Sequence, residues 1–130
     1  MEISKTQQIF ELTAPYKNPY QGTDAKLLFV CSAGILRSAT AANLFARKGY
    51  NTRCCGTSEY ALIPLSANLI AWADKIYFVN PKNHMEAQLT FQHVPELLSK
   101  LQSASVLDIP DVFNYNEPTL LRLLEEQVKV

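Results

Sequence analysis

Leu27-Leu28-Phe29-Val30-Cys31-Ser32-Ala33-Gly34-Ile35-Leu36-Arg37-Ser38 is the stretch on which the fold turns. Its first four residues are an unbroken apolar run, the pattern of a strand buried on both faces of a parallel sheet. Residues 38–48 then read as a helix, with Ser38 as its N-cap and Gly49 at the C′ position. Between strand and helix lie a cysteine and, six residues later, an arginine. A loop of that length can wrap one phosphate. The backbone N–H groups of Ser32, Ala33, Gly34, Ile35, Leu36, Arg37 and Ser38 can turn inward as a nest for anionic oxygens. The N-terminus of the following helix adds partial positive charge. Both effects favour a thiolate at Cys31. Arg37 offers a bidentate fork to two phosphate oxygens, which a lysine could not do. The Ser38 hydroxyl is also close enough in sequence to donate to the Cys31 sulfur.

The same strand-then-helix order recurs along the chain. Strands are expected over Lys26–Val30, Asn51–Cys55, Lys75–Val79 and Ser105–Ile109. Helices are expected from the cap Ser66 to about residue 73, from Pro81 to about residue 92, over Pro95–Leu101, and from Pro118 onward. Leu120, Leu121, Leu123 and Leu124 form the buried stripe of the last one. Four alternations predict an α/β fold: a single-domain three-layer sandwich, a four-stranded parallel sheet with helices on both faces, and a phosphate-binding loop after the first strand. Residues 1–24 read as an N-terminal extension, a short helix followed by the Pro- and Tyr-bearing loop Ala14–Gly22. Residues 25–130 are the domain proper. Ligands of such sheets gather beyond the carboxyl ends of the strands, and Cys31, Thr57, Asn80 and Asp111 all fall there.

A chain of 130 residues suits one domain with one core. Twelve basic residues balance twelve acidic ones, so the net charge is zero. No basic face follows from that sum, which argues against a nucleic-acid partner. Zero net charge permits a weak homodimer without requiring one. No stretch approaches the roughly 20 apolar residues that span a bilayer, and residues 1–12 lack the apolar core of a secretory signal. The reading is a cytoplasmic protein with no membrane partner and reduced thiols. The three cysteines have no metal-ligand spacing. Cys54 and Cys55 are adjacent in a strand, point to opposite faces and cannot serve one metal ion; they read as small buried residues. His84 and His93 are isolated and read as surface or helix-end residues. No metal or cofactor is implied.

A cysteine that attacks phosphorus needs a phosphate cradle and an acid for the leaving oxygen. Asp108 and Asp111 compete for the acid role. Asp108 falls within the fourth strand, whereas Asp111 follows Pro110 beyond the strand end, nearer the expected pocket, and is preferred. Tyr60 and Phe113 each follow a strand end on that edge. As two walls they would make a deep slot that admits an aryl phosphate and leaves phosphoserine short of the sulfur.

At this point the residues resemble the low-molecular-weight protein tyrosine phosphatases, in their shorter bacterial and phage-type form. The likeness runs from Lys26 to about Glu126. It rests on the Val30–Ser38 loop, on Cys54-Cys55-Gly56-Thr57-Ser58-Glu59-Tyr60, on the strand from Ala73 to Asn80, and on Leu107-Asp108-Ile109-Pro110-Asp111-Val112-Phe113. It implies Cys31 as nucleophile, Arg37 as phosphate clamp, Ser38 as hydrogen-bond donor to the thiolate, Asp111 as general acid, and Tyr60 and Phe113 as substrate walls. The implied activity is hydrolysis of phosphotyrosine in a protein, or of a small aryl phosphate, through a phosphocysteine.

This chain departs from the family pattern at three places. Gly34 stands where the family usually has Asn, which implies a looser loop and slower turnover. Leu36 replaces a second loop cysteine that protects the nucleophile in many members. Val112 replaces the proline that usually follows the acid. Two other activities compete. One is a phosphate- or phosphopeptide-binding module with little turnover, which the changes at Gly34 and Val112 allow. The other is arsenate reduction, with Cys54 or Cys55 as resolving thiol.

Overall fold

The computed structural model describes residues 23–32 and 36–130. The expected N-terminal helix and loop, and the loop residues Ala33, Gly34 and Ile35, lie outside the described residues. The elements run β1 (Lys26–Cys31), α1 (Arg37–Ala46), β2 (Asn51–Gly56), α2 (Ala67–Trp72), β3 (Lys75–Phe78), α3 (Pro81–Thr90), α4 (Pro95–Gln102), β4 (Ser105–Val106) and α5 (Pro118–Gln127). The four strands form one parallel sheet in the order β2-β1-β3-β4. Successive strands therefore step outward on either side of β1, and the crevice between β1 and β3 is the switch point where open α/β sheets bind ligands.

β1 divides the core. Leu27 and Phe29 face a cluster with Ala41, Phe45, Tyr77, Leu120 and Leu124, under α1 and α5. Leu28 and Val30 face a second cluster with Leu69, Ile70, Phe78 and Leu101, under α2, α3 and α4. All four of these β1 residues are completely buried. This accounts for their continuous apolar run, because a strand covered on both faces has no solvent side to alternate with. Phe29 stacks on Phe45 and Tyr77, with centroids 5.6 and 5.2 Å apart. Cys54 enters the first cluster and Cys55 the second, as adjacent strand residues must.

Several boundaries differ from the sequence reading. Ser38 is not the cap of α1. Leu36 holds the N-cap position with no side-chain cap bond, and Ser38 sits inside the first turn with its hydroxyl engaged elsewhere. Gly49 does close the helix in a left-handed conformation, at φ +106°. Ser66 caps α2, accepting from the Leu69 N–H at 3.2 Å. β4 is shorter than Ser105–Ile109. Its ladder stops at Val106, although the Leu107 and Ile109 N–H groups still donate to the carbonyls of Phe78 and Val79 at 2.7 and 3.0 Å. β4 is a sheet edge, and on its outer side Gln127 takes the place of another strand. Gln127 Oε1 accepts from the Asp108 N–H at 2.7 Å and Nε2 donates to the Asp108 carbonyl at 3.1 Å. In α5 only Leu120 and Leu124 of the leucine stripe are buried, joined by Val128, while Leu121 and Leu123 are half-buried. His84 is no surface residue. It is half-buried with its ring 5.0 Å from that of Phe78 and a 2.7 Å hydrogen bond between Nε2 and the Leu101 carbonyl.

Gly56 fixes how closely β2 approaches the start of the loop after β1. A Cβ at this position would overlap the Ser32 carbonyl oxygen and stand 2.8 Å from Ala61 Cβ. Just beyond it, the Thr57 N–H donates to the Cys31 carbonyl at 2.8 Å and the Ser58 N–H to the Ser32 carbonyl at 3.0 Å. Gly56→Ala is expected to lower stability by about 1–3 kcal/mol, as overpacking against backbone does. Urea denaturation measures this, and an unchanged midpoint would rule the constraint out.

Candidate active site

The carboxyl ends of β1, β2 and β3 and the segment after β4 converge around Cys31. Cys31 is the last residue of β1 and is buried. Its Sγ is hydrogen-bonded to the buried Ser38 Oγ at 2.9 Å. The first turn of α1 therefore reaches back to the end of β1, across the residues that close the loop. Arg37, the first residue of α1, is also buried. Its Nη1 donates to the Ile109 carbonyl at 2.9 Å, and its Nε lies 3.6 Å from Asp111 Oδ1. The arginine that closes the loop thus also docks the segment carrying the candidate acid. The Asp111 side chain is 67% exposed, so the pair is open to solvent on the carboxylate side.

Two cavities meet here. One, of about 110 Å³, is lined by Cys31, Ser32, Leu36, Arg37 and Asp111. The other, of about 150 Å³, is lined by Ser32, Arg37, Asn80, Lys82, Asn83 and Asp111. They share Ser32, Arg37 and Asp111, so they are two lobes of one cleft. A larger cavity of about 200 Å³ lies at the amino ends of β3 and β4, among residues that include Asp74, Lys75, Lys100 and Lys129. No cysteine lines it. Lys100 Nζ there already donates to the Ala73 and Ala71 carbonyls at 2.6 and 3.4 Å, and burial lowers its pKa. Size alone would pick the wrong place.

Of the two candidate acids, Asp111 borders both lobes, while Asp108 borders neither and has its backbone clamped by Gln127. Cys31, Ser32, Leu36, Arg37 and Asp111 come together as the sequence suggested, with Ser38 directly behind the sulfur. Tyr60 and Phe113 do not join them. Neither lines either lobe. Tyr60 is 87% exposed, and Phe113 is half-buried against the core beneath α1 and α5.

A polar group beside the exits of β1 and β2 carries no clear signal in the sequence. Asn83 on α3 is buried, and its Nδ2 donates to Ser32 Oγ at 3.0 Å, to Thr57 Oγ1 at 3.3 Å and to Glu86 Oε1 at 3.4 Å. Thr57 Oγ1 in turn donates to Glu86 Oε1 at 3.0 Å. One amide thereby ties the exits of β1 and β2 to α3. Asn83 follows Asn80-Pro81-Lys82, a capped helix start, and only the helical spacing of residues 83 and 86 hints at a shared face.

Burial raises the Cys54 thiol to about 12, with the nearby Cys31 adding to the effect and Arg53 opposing it. Cys54 and Cys55 are buried in opposite layers and line neither lobe.

No protein-family model matches the sequence, and no curated protein matches it. Solved structures do match. The tyrosine phosphatase Wzb from Escherichia coli, in complex with phosphate, is 16% identical over 79% of this chain and 92% of its own, with a TM-score of 0.59. A low-molecular-weight protein tyrosine phosphatase from T. tengcongensis is 14% identical over 80% of this chain and 92% of its own, with a TM-score of 0.56. The arginine phosphatase YwlE, as a cysteine-to-serine mutant with a phosphorylated active-site serine, is 20% identical over 78% of this chain and 90% of its own, with a TM-score of 0.58. The chain has the fold of the low-molecular-weight protein tyrosine phosphatases. The four-stranded parallel sheet with helices on both faces is the architecture read from the sequence.

Two outcomes follow from this geometry. Native Cys54 keeps its proton to about 12, whereas the unfolded thiol releases it near 9.0. Its contribution to stability is therefore complete below about pH 9 and lost as pH rises toward about 12. Urea midpoints taken from about pH 8 to about pH 11 should fall more steeply for the wild type than for Cys54→Ala; parallel slopes would contradict the assignment. Asn83→Ala should cost on the order of 1 kcal/mol and loosen Ser32. Faster amide hydrogen exchange at Thr57 and Ser58 is the accompanying sign, and unchanged exchange there would mean the amide braces nothing.

Proposed function

We propose that the protein is a cysteine-dependent phosphatase that hydrolyses phosphotyrosine or small aryl phosphate monoesters through a phosphocysteine. One observation carries the reading: Cys31, Arg37 and Asp111 border a single small cavity, with Ser38 hydrogen-bonded to the sulfur from behind. A nucleophile, a cation for the equatorial oxygens and a carboxyl group for the leaving oxygen are what in-line phosphoryl transfer requires. Ser38 donates to the Cys31 thiolate and holds it toward the cavity. The thiolate attacks phosphorus, the bond to the leaving oxygen breaks, and Asp111 gives that oxygen its proton. Ionised Asp111 then takes a proton from water as the water attacks phosphorus, and the P–S bond breaks to return the thiolate. Arg37 and the loop amides hold the phosphoryl oxygens through both steps. The phosphorylated active-site serine in the YwlE mutant supports covalent transfer on this fold. No cofactor enters the scheme.

The neighbours include both tyrosine and arginine phosphatases, so the fold leaves the leaving group open. Tyr60 and Phe113 are the proposed walls, and the distance of both from the cleft lining means that an aryl slot would need them to move onto the substrate. Arsenate reduction is disfavoured, because among the described residues no second thiol borders the cleft. A phosphopeptide-binding module would use Arg37 but has no need for an acid beside it.

Hydrolysis of para-nitrophenyl phosphate at mildly acidic pH tests the reading. Cys31→Ser should abolish turnover, and Asp111→Asn should reduce it about a hundredfold or more, the usual range for removing a general acid. Wild-type protein that binds vanadate yet does not turn over would instead support the binding module. Parallel assays with phosphotyrosine and phosphoarginine decide the leaving-group class.

A further inference from the structure

The mechanism uses only the lobe that contains Cys31. The second lobe opens from it past Ser32, Arg37 and Asp111 and ends among Asn80, Lys82 and Asn83. Its polar groups are mostly committed. Asn80 Oδ1 accepts from the Lys82 N–H at 2.9 Å. The Asn83 and His84 N–H groups donate to the Asn80 carbonyl at 3.1 and 3.3 Å. Asn83 Nδ2 is spent on Ser32, Thr57 and Glu86. The start of α3 therefore offers no free backbone cradle. The exposed Lys82 ammonium is different, since it pairs with no carboxylate within ion-pair distance among the described residues. Among the described residues, Asp111 lines this lobe and Glu86 sits beside its Asn83. Glu86, one helical turn on, is turned inward to Thr57 and Asn83, and Asp111 is paired with Arg37. The first turn of α3 holds no acidic residue, so its positive end reinforces Lys82.

Asp111 borders both lobes. In the proposed mechanism a leaving oxygen that takes its proton would sit near their junction, from which the leaving group can extend toward Lys82. We infer that the second lobe is a subsite for an anionic group carried by the leaving group, with Lys82 as the residue that selects for it. This rests on the phosphatase reading and narrows its substrate class: a phosphomonoester whose alcohol part bears a carboxylate or a second phosphate close to the scissile bond. Lys82 would act on specificity as a point charge and takes no part in the transfer itself.

The test is a matched pair of substrates, meta-carboxyphenyl phosphate and meta-carbamoylphenyl phosphate, which share shape and differ by one charge. The readout is the ratio of their kcat/KM values. Wild type should favour the carboxylate about threefold, the order of one solvent-exposed ion pair. Lys82→Gln should bring the ratio to about one, Lys82→Glu should invert it, and added salt should erode the wild-type preference. Turnover of both substrates by the wild type at equal efficiency, or a preference that survives Lys82→Gln, overturns the subsite and leaves the phosphatase reading intact. Failure to hydrolyse either ester, together with para-nitrophenyl phosphate, removes both. A meta-phosphonophenyl phosphate arm separates the anion sources: a larger preference for it than for the carboxylate assigns a second phosphate, and a smaller one assigns a carboxylate.

Discussion

The Arg37 guanidinium lies buried between the first turn of α1 and the segment after β4, where a charge is tolerated only if its hydrogens are engaged. In this protein one partner is a backbone carbonyl, Ile109, and another is a carboxylate at 3.6 Å on the solvent side. Both partners belong to the same short segment. The hydrogen bond to Ile109 holds that segment across from Cys31, and Asp111, two residues on, falls within ion-pair distance of the same guanidinium. The same residue that would clamp a phosphate builds the wall opposite it. The guanidinium fork has five donors, so engagement with Ile109 and Asp111 leaves capacity for phosphoryl oxygens.

On the other side of the cleft the constraint is one of distance. Gly56 brings β2 against the Ser32 carbonyl, and Thr57 and Ser58 then bind the two carbonyls that follow β1. Asn83 joins the Ser32 and Thr57 side chains from α3. Cys31 is thus presented from a strand end fixed by two neighbouring strands and two helices. A thiol in this setting has little freedom to turn away, which is what in-line attack by the proposed nucleophile demands of the protein.

The fold was legible because its signal was long-range and redundant. Residues 27–30 form a run with no polar interruption, residues 76–79 repeat it, and strands alternate with helices opened by Ser66, Pro81 and Pro118, so one misplaced boundary could not change the class. Cys31, Arg37 and Asp111 were legible because strand ends of a parallel sheet share an edge. What stayed hidden depends on side-chain direction. Ser38 reads as a cap by residue type, yet a hydrogen bond to sulfur competes for the same hydroxyl. Tyr60 and Phe113 occupy wall-like positions in sequence, but sequence position does not reveal whether an aromatic ring packs inward or faces solvent. Asn83 is an ordinary polar helix residue until the three strand exits around it are seen together, and His84 reads as a surface residue until its contact with Phe78 is known.

The choice of leaving group is set by a different part of the molecule from the chemistry. The groups proposed to move the phosphoryl unit are short-range and sit in a lobe of about 110 Å³. Solved neighbours of the same fold include an arginine phosphatase and a tyrosine phosphatase, so the fold by itself does not fix the leaving group. Discrimination has to come from residues reached only by the rest of the substrate. Around this cleft those are Leu36 in the first lobe and, in the second, Lys82, which pairs with no carboxylate among the described residues: one apolar surface and one cation. Such a rim disfavours a cationic leaving group by charge, and it accepts an apolar ring bearing an anion only because Asp111, the carboxylate that borders both lobes, is paired with Arg37.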